Sequence, residues 1–475
     1  MPEPRVWQLT AGSAVLGLAL AAAAATAAGP WDGGQRTAER ARAAAPAAGG
    51  ERHPGHPAPA AAPAAPAAPK PAEPAPAPSA PGVLAALSGP AAPAARPADL
   101  ARTLVPLLAD PGLGTVRTAS VVDTATGKQL YGEGAGTPMT PASTVKIATA
   151  AAALSALGTD HRIATTVTAT PDGTAVTLTG GGDPTLDAAR LKTLAADTAR
   201  ALEKRGHTSV RLAYDTSLYQ GPVLHPIGPN ENLAPVTALM TDEGRLDDSD
   251  SGPAPRSGDP ALDTATAFAA HLADAGVKVT GAPAPGRTPK GAPLARTHSA
   301  PLADLVERTL THSDNDLAEA LARQTALARE QPASFRGAEK AVRDQLGTLG
   351  LPLAGARFAD GSGLDRRDRV SAALLTGLLT RAADPGRPEL RPLLTGLPVG
   401  GFTGTLAGRF GQAPAGAGLV RAKTGTLTGV NTLAGTVVTA DGRLLAFAFL
   451  AGRTPSPDLA QPALDRLSAA LTGQK

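Results

Sequence analysis

Three short stretches of this 475-residue chain carry side chains that could do chemistry together, and they occur in a fixed order. Ser143-Thr144-Val145-Lys146 comes first, Ser313-Asp314-Asn315 second, and Lys423-Thr424-Gly425-Thr426 third. The first lies in PASTVKIATA, residues 141–150, which opens an alanine-rich run that reads as a helix to about Leu157. A serine at a helix start sits where unpaired N–H groups and the helix dipole favour developing negative charge. A lysine three residues on shares its face, so the amine can reach back to the serine oxygen. Serine becomes a nucleophile only with a base beside it. Lysine can be that base only when neutral, and burial or a second cation lowers its pKa; Lys423 could supply that cation.

The other two motifs suit the rest of an acyl transfer. Ser313 can relay a proton to a leaving group. Asn315 can accept from Lys146 and donate its amide to a substrate backbone. Lys423-Thr424-Gly425-Thr426 falls on a predicted edge strand, whose free backbone can pair with an extended peptide. The Thr424 hydroxyl and Lys423 suit a terminal carboxylate, and the N–H groups of Ser143 and Thr426 form a natural oxyanion pair. Taken singly, each motif has an ordinary explanation. Ser143 could be a plain N-cap with Lys146 snorkelling to water, Ser313-Asp314-Asn315 a cap for the helix DLAEALARQ, and Lys423 a solvated strand residue. Their shared order and context favour the chemical reading.

Composition closes off other classes. The net charge is +3, with no block of Lys and Arg interleaved with aromatics, so no nucleic-acid partner is expected. The absence of cysteine excludes disulfides, thiolate nucleophiles and cysteine-based zinc sites. GEGAGT and GGGDPT are glycine-rich but lie in no βαβ nucleotide-binding unit. No metal constellation is visible, and neither metal nor cofactor is expected. His53 and His56 lie in a Pro/Ala-rich stretch and read as incidental, as does His312 beside Ser313.

The elements that must position these motifs follow from composition and periodicity. Residues 1–29 hold one early arginine, Arg5, then an uncharged, mostly alanine run with small residues near Ala25 and Ala27. This reads as a cleaved secretory signal or a membrane anchor, with the protein exported to the cell wall or the outer membrane face. Residues 30–96 form a Pro/Ala-rich tether with too few large apolar groups to pack a core. From about Asp99, helical and strand patterns mix. ADLARTLVPLLAD is an amphipathic helix, GTVRTASVVDTATGKQLYGEG a strand pair, and TADG a hairpin turn between two apolar strands near the C-terminus.

On PASTVKIATAAAAL, GGGDPTL, YDTSLY, APVTALMTDEGRL, SAPLADLVERTLTHSDNDLAEAL, FADGSGLDRRDRVS, LPVGGFTGTLAGRF and AKTGTLTGVNTLAG, the chain resembles a known family. This is the D-alanyl-D-alanine carboxypeptidase/endopeptidase family of low-molecular-mass class C penicillin-binding proteins, in its actinobacterial form. The resemblance implies Ser143 as acyl-ester nucleophile and Lys146 as general base. It implies Ser313, Asn315 and Lys423 as proton-relay and carboxylate-binding partners, and Thr424, Gly425 and Thr426 as substrate-binding positions. Arg366 falls where the family's DGSGLSR motif has an arginine that meets the peptide side chain; here Asp365 replaces the serine.

The resulting expectation is an α+β, serine β-lactamase/penicillin-binding-protein transpeptidase-like fold: an antiparallel sheet with flanking helices, a helical lobe, and the site between them. The gap from Ser143 to Ser313 is far longer than a compact β-lactamase needs. The catalytic domain is therefore placed at 97–161 and 293–475, with an inserted domain at 162–292. The expected partners are peptidoglycan stem peptides, and β-lactam antibiotics as covalent inhibitors. A serine β-lactamase and a non-catalytic wall- or β-lactam-binding module are the alternatives. The first needs a deacylation base that the sequence does not display, and the second would not need Ser143, Lys146 and Lys423 intact.

Overall fold

The structure, a computed structural model, describes residues 97–473. The expected leader and tether, with His53 and His56, lie outside the described residues. The chain enters with α1 (Pro97–Leu108), then the hairpin of β1 (Val116–Asp123) and β2 (Gln129–Glu133). A 3₁₀ turn over Ala142–Val145 leads directly into α2 (Lys146–Leu157). Next come β3 (Ala164–Ala169), β4 (Ala175–Thr179), α3 (Ala188–Glu203), β5 (Ser209–Asp215) and α4 (Pro260–Asp274). The short strands β6 (Lys278–Val279), β7 (Ala284–Pro285) and β8 (Ala295–His298) follow. Helices α5 (Leu302–His312), α6 (Asn315–Ala328), α7 (Phe335–Gly347), α8 (Ala372–Ala383) and α9 (Pro392–Thr395) precede the last sheet segment. That segment is β9 (Val420–Leu427), β10 (Val430–Val438) and β11 (Leu444–Gly452), closed by α10 (Pro457–Ala470).

Helix starts are written into the sequence. Asp187, Asp259, Asp314, Ser334, Ser371 and Ser456 each cap a helix, the side chain accepting the N–H three residues on.

The five-stranded sheet has the order β2-β1-β11-β10-β9 and is antiparallel throughout, which leaves β9 on an edge as expected. Its centre explains why LLAFAFLAG is apolar without a break. Along β11, Ala446, Ala448 and Leu450 pack into a core shared with α2, α5, α7 and α8. The alternate residues Leu445, Phe447, Phe449 and Ala451 pack into a core shared with α1 and α10. Successive side chains point to opposite faces, and here both faces are covered. The small residues Ala434, Ala446 and Ala448 let the helical lobe approach the sheet closely, while the phenylalanines fill the wider gap on the far side.

The second sheet has the order β6-β5-β4-β3-β8, with β7 also on β5. β3 pairs antiparallel with β4 and with β8. β4 and β5 instead run parallel, because α3 carries the chain from one to the other. The last strand, β8, lies past residue 292, so this sheet closes at His298 through its pairing with β3. Its core is separate: Val167, Val176, Leu178 and Leu212 meet Leu191, Leu194 and Phe268 from α3 and α4. Phe268 is fully buried there. Phe268→Ala should cost about 3–5 kcal/mol, read as a lower urea midpoint in equilibrium unfolding.

Candidate active site

The 3₁₀ turn that carries Ser143 is held from two sides. The Pro141 carbonyl accepts from Thr144 Oγ1 at 2.8 Å and from Thr432 Oγ1 on β10 at 2.7 Å. Ala142 sits at φ 49°, in the left-handed region, although it is not glycine, and is fully buried. Such a backbone costs on the order of 1–3 kcal/mol and persists only where its surroundings fix it. Strand β9 runs close against this turn: a Cβ on Gly425 would lie 2.7 Å from the Pro141 oxygen and 3.1 Å from the Ser143 nitrogen.

Lys146 is fully buried at the start of α2. Its Nζ lies 3.0 Å from Ser143 Oγ, 2.7 Å from Asn315 Oδ1 and 2.6 Å from the Ser362 carbonyl oxygen. Three acceptors suit a charged ammonium. They equally suit a neutral amine that gives two N–H groups to Asn315 and Ser362 and turns its lone pair to the Ser143 hydroxyl. Burial lowers the Lys146 pKa to about 8, against the opposing pull of Asp360, Asp314 and Glu319. Of the two causes the sequence offered, burial and Lys423 as a second cation, burial is the one that acts on Lys146, and the repulsion between the two amines is felt at Lys423. That second lysine is also fully buried and is held well below the usual lysine range, first by burial and then by Lys146. Lys423 Nζ donates to Ser313 Oγ at 2.9 Å and to the Thr424 carbonyl at 2.8 Å.

Ser313 ends α5 at φ 59°, and Asp314 both caps α6 and pairs with Arg308. So the bland reading of Ser313-Asp314-Asn315 as a helix cap is right for Asp314, while Ser313 and Asn315 are turned to the two lysines. Asn315 Nδ2 donates to the Asn232 carbonyl at 2.9 Å, which fixes its oxygen toward Lys146.

A cleft of about 280 Å³ joins these groups; its walls include Ser143, Ser313, Asn315, Thr424 and Thr426. Thr405 also lines it and takes a hydrogen bond from Thr424 Oγ1 at 2.9 Å. Arg366 is exposed and lies apart from the cleft wall, its Nη2 donating to the Thr428 carbonyl at 2.9 Å, just beyond β9. The neighbouring Asp365 is paired with Arg367.

Sequence reasoning missed several cleft residues. Arg245 and Arg256, from the long connection between β5 and α4, also line the cleft. They are anchored by Glu243 and Asp316 respectively. It also missed the Ser362 carbonyl. FADGSGLDRR was visible as a motif, but a backbone oxygen gives no residue-type signal. Nor did spacing show that His225, Glu319 and Asp360 come together beneath it, or that Glu243, Asp314 and Asp316 do so beside Ser313. Both groups have the donor atoms for a cation, but among the described residues their oxygens are engaged by arginines, a histidine and backbone N–H groups.

Gly363 carries the 360–365 loop past the nucleophile at φ 87°, and a Cβ there would collide with the Ala142 carbonyl. Gly363→Ala should lower acylation by a fluorescent penicillin roughly tenfold or more by displacing the Ser143 turn, with the melting temperature measured alongside to separate displacement from unfolding.

Comparison with known proteins agrees with this geometry. The D-Ala-D-Ala carboxypeptidase 3 (S13) family model matches residues 100–251 and 248–471. Carboxypeptidase DacB of Mycolicibacterium smegmatis is 39% identical over 389 residues, which is 78% of this chain and 83% of that protein. The D-alanyl-D-alanine carboxypeptidase of Actinomadura is 30% identical over 438 residues, 74% of this chain and 80% of that protein. The crystal structure of penicillin binding protein 4 from Haemophilus influenzae matches with a TM-score of 0.65 at 23% identity. It covers 80% of this chain and 99% of that one, which supports the fold. The same protein has been crystallised in complex with a β-lactam. The α+β penicillin-binding architecture expected from the motifs is thus present, and the chain belongs to the D-Ala-D-Ala carboxypeptidase 3 (S13) family.

Proposed function

We propose that this protein is a serine-type D-Ala-D-Ala carboxypeptidase and endopeptidase that acts on peptidoglycan stem peptides and is acylated by β-lactams at Ser143. The observation that carries the reading is the buried Lys146 amine, 3.0 Å from Ser143 Oγ and held by two further acceptors. Lys146 takes the Ser143 proton as Oγ attacks the carbonyl of the terminal D-Ala-D-Ala amide. The N–H groups of Ser143 and Thr426 stabilise the oxyanion. The leaving D-Ala amine receives its proton through Ser313, which Lys423 holds in place. Water then resolves the ester. Thr424 Oγ1 and Lys423 meet the terminal carboxylate, and an arriving anion favours the charged form of Lys423. Cleavage of a cross-link uses the same steps with a longer leaving group, and Arg366 is assigned to the peptide side chain.

Slow release of a penicilloyl ester is part of this reading. Of the residues lining the cleft, Asp314 is the carboxylate, and it is committed to capping α6 and to Arg308. Asp314 is therefore not free to act as the base for rapid deacylation, and His312, which also lines the cleft, is not among the hydrogen-bond partners of Ser143. We assign residues 162–292, extended through β8, to an inserted domain, which is supported by its own sheet and core. We assign the protein to the outside of the cell, a reading supported by the location of the substrate and by the uncharged run at 6–29 followed by the Pro/Ala-rich 30–96.

Incubation of the chain with a fluorescent penicillin should give an adduct stable over about an hour, and Ser143→Ala should give none. Hydrolysis of the drug with rapid loss of the adduct would make the protein a β-lactamase; muropeptide binding without adduct or product would make it a binding module. Because Lys146 must lose its proton, with a pKa lowered from 10.5 to about 8, acylation should speed up as pH rises from 6 through 8 and level about one unit above that. A rate that is flat across that window would exclude Lys146 as the base.

A further inference from the structure

Lys146 can offer a lone pair to Ser143 only if its two N–H groups are held elsewhere, by Asn315 Oδ1 and by the Ser362 carbonyl. What holds the Ser362 carbonyl is a buried network. Glu319 Oε1 accepts the N–H groups of Gly361 and Ser362, each at 3.0 Å, and Glu319 Oε2 is paired with the buried Arg323. Besides the carboxyl of Asp368, Asp360 takes four donors: Gly363 N at 2.6 Å, Asp365 N at 2.8 Å, Ser362 Oγ at 3.0 Å and His225 Nε2 at 2.9 Å. Three of these come from the loop itself. The fourth comes from the long connection after β5, far away in sequence.

His225 is placed for this bond and for no visible other task. Its ring is 4% exposed and packs edge-on against Phe335 at 5.4 Å. Its Nδ1 accepts the Ile227 N–H at 3.3 Å, which leaves the proton on Nε2, directed at Asp360. It neither lines the cleft nor contacts Ser143. A cation held by His225, Glu319 and Asp360 is disfavoured by Arg323, which already neutralises Glu319 from one side.

We propose that His225 is a positioning residue for acyl transfer: by donating to Asp360 it fixes the 360–365 loop, so that the Ser362 carbonyl holds the Lys146 amine with its lone pair on Ser143. The proposal rests on the serine-acylation reading above. Through His225, the segment between β5 and α4 acts on the general base without touching substrate.

The test compares His225→Met, which fills similar space without a donor, with His225→Gln, which can donate to Asp360. Both are measured with a D-Ala-D-Ala peptide for kcat and KM and with a fluorescent penicillin for the acylation rate. His225→Met should lose roughly ten- to hundredfold in kcat and acylation rate with KM within about twofold, since the loss is one of alignment. His225→Gln should recover most of that rate. Equal rates for the Met and Gln variants, or a loss carried by KM, would overturn the proposal. Ser362→Ala removes one donor to Asp360 and keeps the backbone carbonyl, so it decides the matter where a residue-225 variant fails to fold. A lower kcat at unchanged KM supports the proposal, and a wild-type kcat overturns it. Wild-type protein that forms no adduct at Ser143 would overturn the acylation reading and this proposal together, whereas with a normal wild-type adduct the variants test the role of His225 alone.

Discussion

One amine organises this protein. Lys146 is taken entirely out of water and given three acceptors within 3.0 Å. Burying a lysine without partners is costly, and the usual relief is loss of its charge. Each acceptor comes from a different part of the chain: Ser143 from the preceding turn, Asn315 from the start of α6, and Ser362 from the loop before α8. The lysine is satisfied only when the helical lobe and the turn before α2 are both in place.

The local electrostatics show a balance rather than a single dominant field. Burial pushes both lysines toward neutrality, and Asp360, Asp314 and Glu319 pull Lys146 back toward charge. Asp360 is held well below the usual carboxylate range by its hydrogen bonds, while burial and the charge of Asp360 drive Asp368 well above it. A proton held on one member of that pair lets two carboxyl groups share a dry site. The result leaves Lys146 within reach of neutrality near physiological pH and still able to accept a proton from Ser143.

The long connection between β5 and α4 is more than a cover. Its Asn232 carbonyl orients Asn315, its Ala234 N–H is bound by Asp316 Oδ1 at 3.0 Å, and Arg256 pairs with Asp316. Arg308 on α5 joins Glu243 from this connection to Asp314. The segment that departs from a minimal acyl-transfer scaffold is thus bonded to the second of the three motifs and to the helix that follows it.

Some of this was legible in residue types. Ser143, Lys146, Ser313, Asn315 and Lys423 stood in order, and β9 was expected on an edge, where it lies. Helix starts could be read from Asp and Ser caps, and the doubly buried β11 from its unbroken apolar run. These features are local or carried by side-chain identity, so sequence holds them. Tertiary structure alone decided the rest. The parallel pairing of β4 with β5 depends on where α3 packs. The Ser362 carbonyl has no residue-type signature, because every residue has one. His225 meets Asp360 only after more than a hundred residues have folded between them. Which of burial and Lys423 lowers the pKa of Lys146 could not be read from composition, because desolvation is a property of the packed interior and not of the chain.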